Sequence, residues 1–184
     1  MRLGIVGASV EAESRAELHL ARLLLLLGHG AKRGHGAVDG ITKLAKLDFL
    51  LRYPRFLERL LKLHRKHPPQ VPMLPHEADT VESSMIRFRY GPWDPRYRLW
   101  LGLLLAKGLV DLRLDGRRVV VEITPRGTEC FHALAARSEM STLADRAGVV
   151  MESLWSLNGT RLKDLVYEAV PELQGMSWGE EIQP

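Results

Sequence analysis

"LVDLRLDGRRVVVEIT", residues 109–124, sets two runs of alternating apolar and polar residues around Asp115-Gly116. Alternation at period two predicts half-buried strands, and Asp-Gly is the pair that a tight type I′ turn prefers. With Asp115-Gly116 as the loop, Leu112 faces Val119 and Val110 faces Val121, which gives the hairpin one apolar face. The same register puts Arg113 opposite Arg118, with Arg117 beside them. Like charges facing across strands cost a few tenths to about 1 kcal/mol. A tip carrying three arginines is therefore a candidate nucleic-acid contact.

The residues before the hairpin predict a strongly signalled helix. Asp94 is a good N-cap, Pro95 suits the first helical position, and Gly108 supplies a left-handed stop. Between them Trp100, Leu101, Leu103, Leu104 and Leu105 make the body apolar nearly all round, so it is expected to be buried on every side. Its entrance, "RFRYGPWDPRYRLW" at 87–100, carries four arginines and five aromatics. Arginine and aromatic residues are enriched in protein interfaces. Arg87, Arg89, Tyr90, Trp93, Arg96, Tyr97 and Arg98 are thus candidate interface residues, together with Asp39, Lys43 and Tyr53 from an earlier segment. "SSMIRFRYG" reads as a short strand. After the hairpin, Thr124-Pro125 repeats the cap-plus-proline start and opens a further helix.

Toward the N-terminus, "SVEAESRAELHLARLLLLLGHG" predicts a helix over about 11–27 ended by Gly28, and "HGAKRGHGAVDG" a glycine-rich loop. "ITKLAKLDFLLR" places Ile41, Leu44, Ala45, Leu47 and Leu51 at helical spacing, with Asp48 one turn from Arg52. "YP" at 53–54 breaks that helix, since the residue before proline is pushed out of helical geometry. In the next helix Arg55, Arg59, Lys62 and Lys66 form a cationic stripe, a second candidate nucleic-acid contact. A proline-rich connector at 68–80 follows. Near the other end, one helix starts around Ser141. Another, started by Thr160, closes at Pro171, and 174–184 reads as a frayed tail.

With 184 residues, 46% hydrophobic and 26% charged, the chain is globular in composition and suits one domain. The net charge is +4, but residues 31–70 hold ten Lys and Arg against three acids, whereas 148–184 hold two against six. That asymmetry points to an anionic partner near the front. Cys130 alone forms no internal disulfide and no cysteine zinc cluster. His29 and His35 fall short of the three or four ligands that a zinc site needs. "GIVGAS" at 4–9 lacks the third glycine of a dinucleotide loop, and Ser9 and Ser14 lack a nucleophile-elbow setting. The expectation is a non-catalytic protein with no metal and no cofactor. No leader or membrane span is legible at the start, which predicts a cytoplasmic protein.

Helices, a capped helix, a hairpin and another helix, in that order, predict a mostly α, α+β chain. Its core, at 39–137, is a winged helix-turn-helix with a two-stranded wing. Residues 1–38 add an N-terminal helix and loop, and 138–173 add C-terminal helices. In the DNA-reading version the helix before the wing lies in the major groove and needs a polar outward face. A leucine-rich body does not supply one.

The blocks "VDGITKLAKLDFLLRYP", "RFRYGPWDPRYRLWLGLLLAKGLV", "ITPRGTECFHAL" and "GTRLKDLVYEAVPEL" resemble the middle component of bacterial three-component ABC-ATPase defence systems, the Lamassu-like group. The likeness spans about 11–173, and the segment at 28–36 departs from it. The resemblance implies a winged-helix accessory subunit joining a large coiled-coil ATPase of the Rad50 or SMC type to an effector, often a nuclease, in anti-phage or anti-plasmid defence. Double-stranded DNA would be a further contact, and no membrane would be involved. The alternative is a free-standing winged-helix transcriptional regulator.

Overall fold

The hairpin forms two residues out of the expected register. In the computed structural model, which describes residues 2–78, 80, 81 and 84–184, β4 (Val110–Asp115) and β5 (Arg118–Ile123) pair with Leu112 opposite Val121 and Asp115 opposite Arg118. The loop is Gly116-Arg117. A type I′ turn at Asp115-Gly116 would require positive φ at both residues, whereas type II′ requires it only at the first, and Gly116 sits at φ 58°. A slip of two keeps every side chain on its face, so the apolar face survives. The charges do not keep their expected partners: Arg113 faces Val120, and its Nε lies 3.8 Å from Glu122.

A third strand joins the sheet from the segment expected to be loop. β1 (Ala37–Asp39) pairs antiparallel with β5, Val38 lying opposite Val121, so the strand order is β1-β5-β4. Nor does Gly28 end the first helix. α1 (Arg2–Ala31) runs through it, and the missing side chain instead makes room for the Phe131 ring, from which a Cβ there would stand 2.2 Å. Gly28 is a contact point, and the chain turns only after Ala31. The "GIVGAS" run lies within this helix, and the side chains of Ser9 and Ser14 fall outside the described residues.

α2 (Ile41–Arg52) and α3 (Pro54–His64) meet at Tyr53, whose φ of −115° and ψ of 77° break the helix before Pro54 as expected. α3 stops short of Lys66, so that residue lies outside the helical stripe. β2 (Ile86–Phe88) and β3 (Gly91–Trp93) form a small second hairpin that presents Arg89 and Tyr90 at its turn. α4 (Tyr97–Ala106) begins later than Asp94 predicts. Asp94 instead accepts the Arg96 amide at 3.0 Å and closes a turn ahead of the helix. Gly108, at φ 67°, ends it as expected.

α4 is a core helix on one side only. Tyr97, Trp100, Leu101 and Leu104 are buried, while Leu99 and Leu105 are 58% and 45% exposed and Gly102 lies open. The expectation of burial on every side fails because no element covers that outer face among the described residues.

α5 (Pro125–Ala135) starts at Thr124, whose hydroxyl accepts the Gly127 amide at 2.9 Å. α6 (Ser141–Leu154) and α7 (Gly159–Ala169) follow, and the cap of α7 is Asn158, accepting the Arg161 amide at 2.8 Å, in place of Thr160. A short helix, α8 (Glu172–Gly175), leads into a tail that is docked, contrary to the frayed end expected. The Arg87 amide donates to the Glu180 carbonyl, the Ile182 amide donates to that of Met85, and Ile182 is buried. The result is a mostly helical α+β fold with small antiparallel sheets. One apolar core runs from Leu20 to Ile182. No helix among the described residues is long and apolar enough to cross a membrane.

Candidate functional site

Two helix starts converge on one cavity. Gly40, with no side chain to cap α2, and Asn158-Gly159 at the head of α7 face a space of about 560 Å³. That size falls within the roughly 300–1,000 Å³ usual for small-molecule sites. The first-turn amides of a helix have no acceptor within it and carry its positive dipole end. Four cations, Lys43, Lys46, Arg118 and Lys163, line the same space against one carboxylate, Asp39.

Lys46 is the unusual member. Only 3% exposed, it donates to the Thr42 carbonyl of its own helix at 2.9 Å, and no carboxylate reaches it among the described residues. Burial, reinforced by the charge of Lys163, pushes its ammonium down from 10.5 to about 8. The ammonium of Lys43 is turned aside: it donates to the Trp155 carbonyl at 2.8 Å and sits 4.6 Å from that ring's centre. Lys163 lies 3.3 Å from Asp164 at the surface.

An apolar slot of about 220 Å³ opens beside the cavity, between Phe88, Tyr90, Pro92 and Trp93, with Arg98 at its edge. Tyr90, Thr42 and Lys46 line both spaces. Gly91, at φ 110°, lets the turn place Tyr90 there, 54% exposed.

Beneath lies a buried ion network that fixes α2 against α4. Asp48 Oδ2 accepts two N–H groups of Arg52, at 2.9 and 2.6 Å, and the Tyr97 hydroxyl at 2.6 Å. Arg52 also donates to Asp94 at 3.1 Å, and Arg22 Nε lies 3.9 Å from Asp48 Oδ1. Burial pushes the Asp48 carboxyl up, but Arg52 and Arg22, with the hydrogen bonds from Arg52 and Tyr97, outweigh it and hold it below the usual carboxylate range. The predicted Asp48–Arg52 pair is therefore the centre of the network. His19, stacked on Trp100 at 4.0 Å, is pushed down to about 3 by burial and by the charges of Arg22, Arg52 and Arg96, so it stays neutral.

The candidate interface residues divide. Asp39, Lys43 and Tyr90 meet at the cavity, and Trp93 and Arg98 reach the slot. Arg89 stands over the Tyr90 ring at 5.3 Å. Tyr53 and Tyr97 offer no interface surface. Both are core residues: the Tyr53 hydroxyl donates to the Ile182 carbonyl, and that of Tyr97 is committed to Asp48. Arg87 is fastened inward, donating to the Leu173 carbonyl at 2.8 Å, and Arg96 is tied to Asp94.

The cationic stripe is largely neutralised. Arg59 binds the Ala169 carbonyl and Glu172, and Lys62 pairs with Glu58 at 2.9 Å. Of the β4–β5 hairpin arginines, Arg118 alone reaches the cavity, while Arg113 lies beside Glu122 and Arg117 occupies the turn. His29 packs edge-on to Phe131 and His35 stacks on Trp155, so the two histidines serve different contacts. Lys46, Lys163 and the Asn158-Gly159 helix start were not anticipated. The one local signal was Gly40 where a helix start usually carries a capping side chain.

No family model, no curated protein and no solved structure matches the chain.

Proposed function

We propose that this chain is a non-catalytic winged-helix accessory subunit that docks onto a large coiled-coil ABC ATPase of the SMC type and links it to an effector in anti-phage or anti-plasmid defence. The sequence of α4 followed directly by the β4–β5 hairpin, with β1 completing a three-stranded sheet of order β1-β5-β4, supports the winged-helix part, although the β2–β3 hairpin stands between α3 and α4 where a helix-turn-helix has a short turn.

The observation that carries the docking role is the outer face of α4. In a DNA-reading winged helix this face meets base edges and must be polar. Here Leu99 and Leu105 stand in water beside Gly102, with Leu103 half-buried between them. An apolar strip flanked by Arg98 and Lys107 suits the desolvated centre and charged rim of a protein interface. The helix buried on every side, which was the expected ground for an adaptor, is not observed; the partly exposed leucines are a separate ground, since they offer no polar face to base edges.

Expression of the chain together with its own gene neighbourhood, followed by affinity capture, tests this reading for a coiled-coil ATPase and an effector. The parent chain brings both down, and the double variant Leu99→Glu, Leu105→Glu folds but does not. Recovery of the chain alone, with tight sequence-specific binding of the pure protein to its own upstream DNA, would establish the regulator instead.

A further inference from the structure

We propose that the cavity between the starts of α2 and α7 binds the phosphate of a nucleotide, whose base stacks in the slot beside Tyr90. This goes beyond the adaptor role and stands whether or not the chain joins an ATPase.

Lys46 fits an anion as the cavity's occupant: the residue is 3% exposed, its ammonium makes a part-buried hydrogen bond, and no carboxylate meets it among the described residues. A buried ammonium normally has a carboxylate, because removing an ion from water costs several kcal/mol that a partner must offset. Lys46 has only the Thr42 carbonyl among the described residues, which leaves two N–H donors uncommitted. Asp39, the sole carboxylate on the wall, forms no ion pair with Lys46, and Lys163 adds a second positive charge from α7. Arg118 reaches the same space from β5 with a planar fork of donors. Two helix starts then add backbone amides, the arrangement that commonly receives phosphate oxygens. A phosphate offers several acceptors to donors arriving from three sides, which a lone carboxylate group matches less fully.

The slot specifies what the phosphate is attached to. Phe88 and Tyr90 are 43% and 54% exposed, and with Trp93 and Pro92 they flank a narrow apolar space edged by Arg98. Aromatic faces and a guanidinium plane are the surfaces on which nucleobases stack. Because Tyr90 and Lys46 line both spaces, one ligand can fill the two together. Two sources carry this chemistry: a free mononucleotide, or the 5′-terminal nucleotide of a single strand.

Calorimetric titration of the full chain tests the proposal with adenosine 5′-monophosphate, adenosine and inorganic phosphate. A short oligothymidylate with a 5′-phosphate and the same strand with a 5′-hydroxyl complete the set. The nucleotide is expected to bind at least about tenfold more tightly than either adenosine or phosphate, since each part contributes contacts of that order. A 5′-phosphorylated strand that outcompetes the mononucleotide identifies the strand end as the source, and equal affinity identifies the free nucleotide.

Lys46→Met, Lys163→Gln and Tyr90→Ala should each weaken binding about fivefold or more. Lys163 and Tyr90 are at the surface, so those two variants carry the test independently of any change in stability at Lys46. The proposal is overturned by an absence of saturable nucleotide binding, by equal affinity for nucleotide and adenosine, or by surface variants that bind like the parent.

Discussion

Lys46→Met should make the protein more stable near neutral pH, although it removes a hydrogen bond. Lys46 as a residue is 3% exposed, and its ammonium falls from 10.5 to about 8 through burial and the nearby charge of Lys163. At about 1.4 kcal/mol per unit, holding that charge in place near pH 7 costs about 3 kcal/mol. Methionine has similar length and no charge, and it forfeits only the bond to the Thr42 carbonyl, worth about 1 kcal/mol net. A gain of about 2 kcal/mol results. The sign of the pH dependence is fixed. Because the folded value lies below the unfolded one, the unfolded chain holds more protons between about pH 8 and 10.5, and parent stability rises across that window. The advantage of the variant should therefore shrink as pH rises. Urea unfolding followed by helical circular dichroism, near pH 7 and near pH 9.5, measures both effects provided the slope m is unchanged. A variant less stable than the parent near pH 7, or a gap that stays constant with pH, would refute the account of Lys46 as a strained, uncompensated cation.

Asp48→Asn should lose at least about 3 kcal/mol, because Arg52 keeps its buried charge after its main acceptor is neutralised; thermal melting reads this directly. Acid should weaken the fold only below about pH 4. Asp48, Asp94 and Glu77 are all held below the carboxylate range, their arginine partners outweighing burial, so the stability they add is complete above about pH 4 and lost as pH falls further. An acid titration by fluorescence follows it, and a flat profile through that range would contradict the network. Gly127→Ala should destabilise by about 1–3 kcal/mol despite the better helix propensity of alanine. Its Cβ would stand 2.0 Å from the Leu109 carbonyl oxygen, which is backbone and cannot rotate away; denaturant midpoints test it.

Short-range chemistry made the hairpin, the Thr124 cap, the Gly108 stop and the Asp48–Arg52 pair readable from sequence. Each depends on residues within a turn or two of one another. The register of the β4–β5 hairpin is not legible locally, because Asp-Gly suits one turn type while Gly in the first loop position suits another, and local preference alone does not separate them. β1 was missed because three residues have too little period to register, and their partner lies in β5. The tail was misread for a similar reason: its ladder runs to Met85 and Arg87, far along the chain. The cavity was hardest to foresee. Lys46 and Lys163 belong to separate helices, and nothing in a run of leucines announces that a lysine among them is buried without an acid. Of the residues lining it, Asp39, Lys43, Tyr90 and Arg118 had been singled out, but for two separate roles.

Helix α2 holds Lys46 on one flank and, two residues on, Asp48, which grips the first residue of α4. It thereby joins the leucine-faced helix α4 on one side to the cavity at the starts of α2 and α7 on the other. If occupants of the two places both favour the same arrangement of α2, each must strengthen the other's hold by the same factor, because linkage between binding events is reciprocal. Loading of the cavity would then tune how firmly α4 holds its partner, and that partner would tune the cavity.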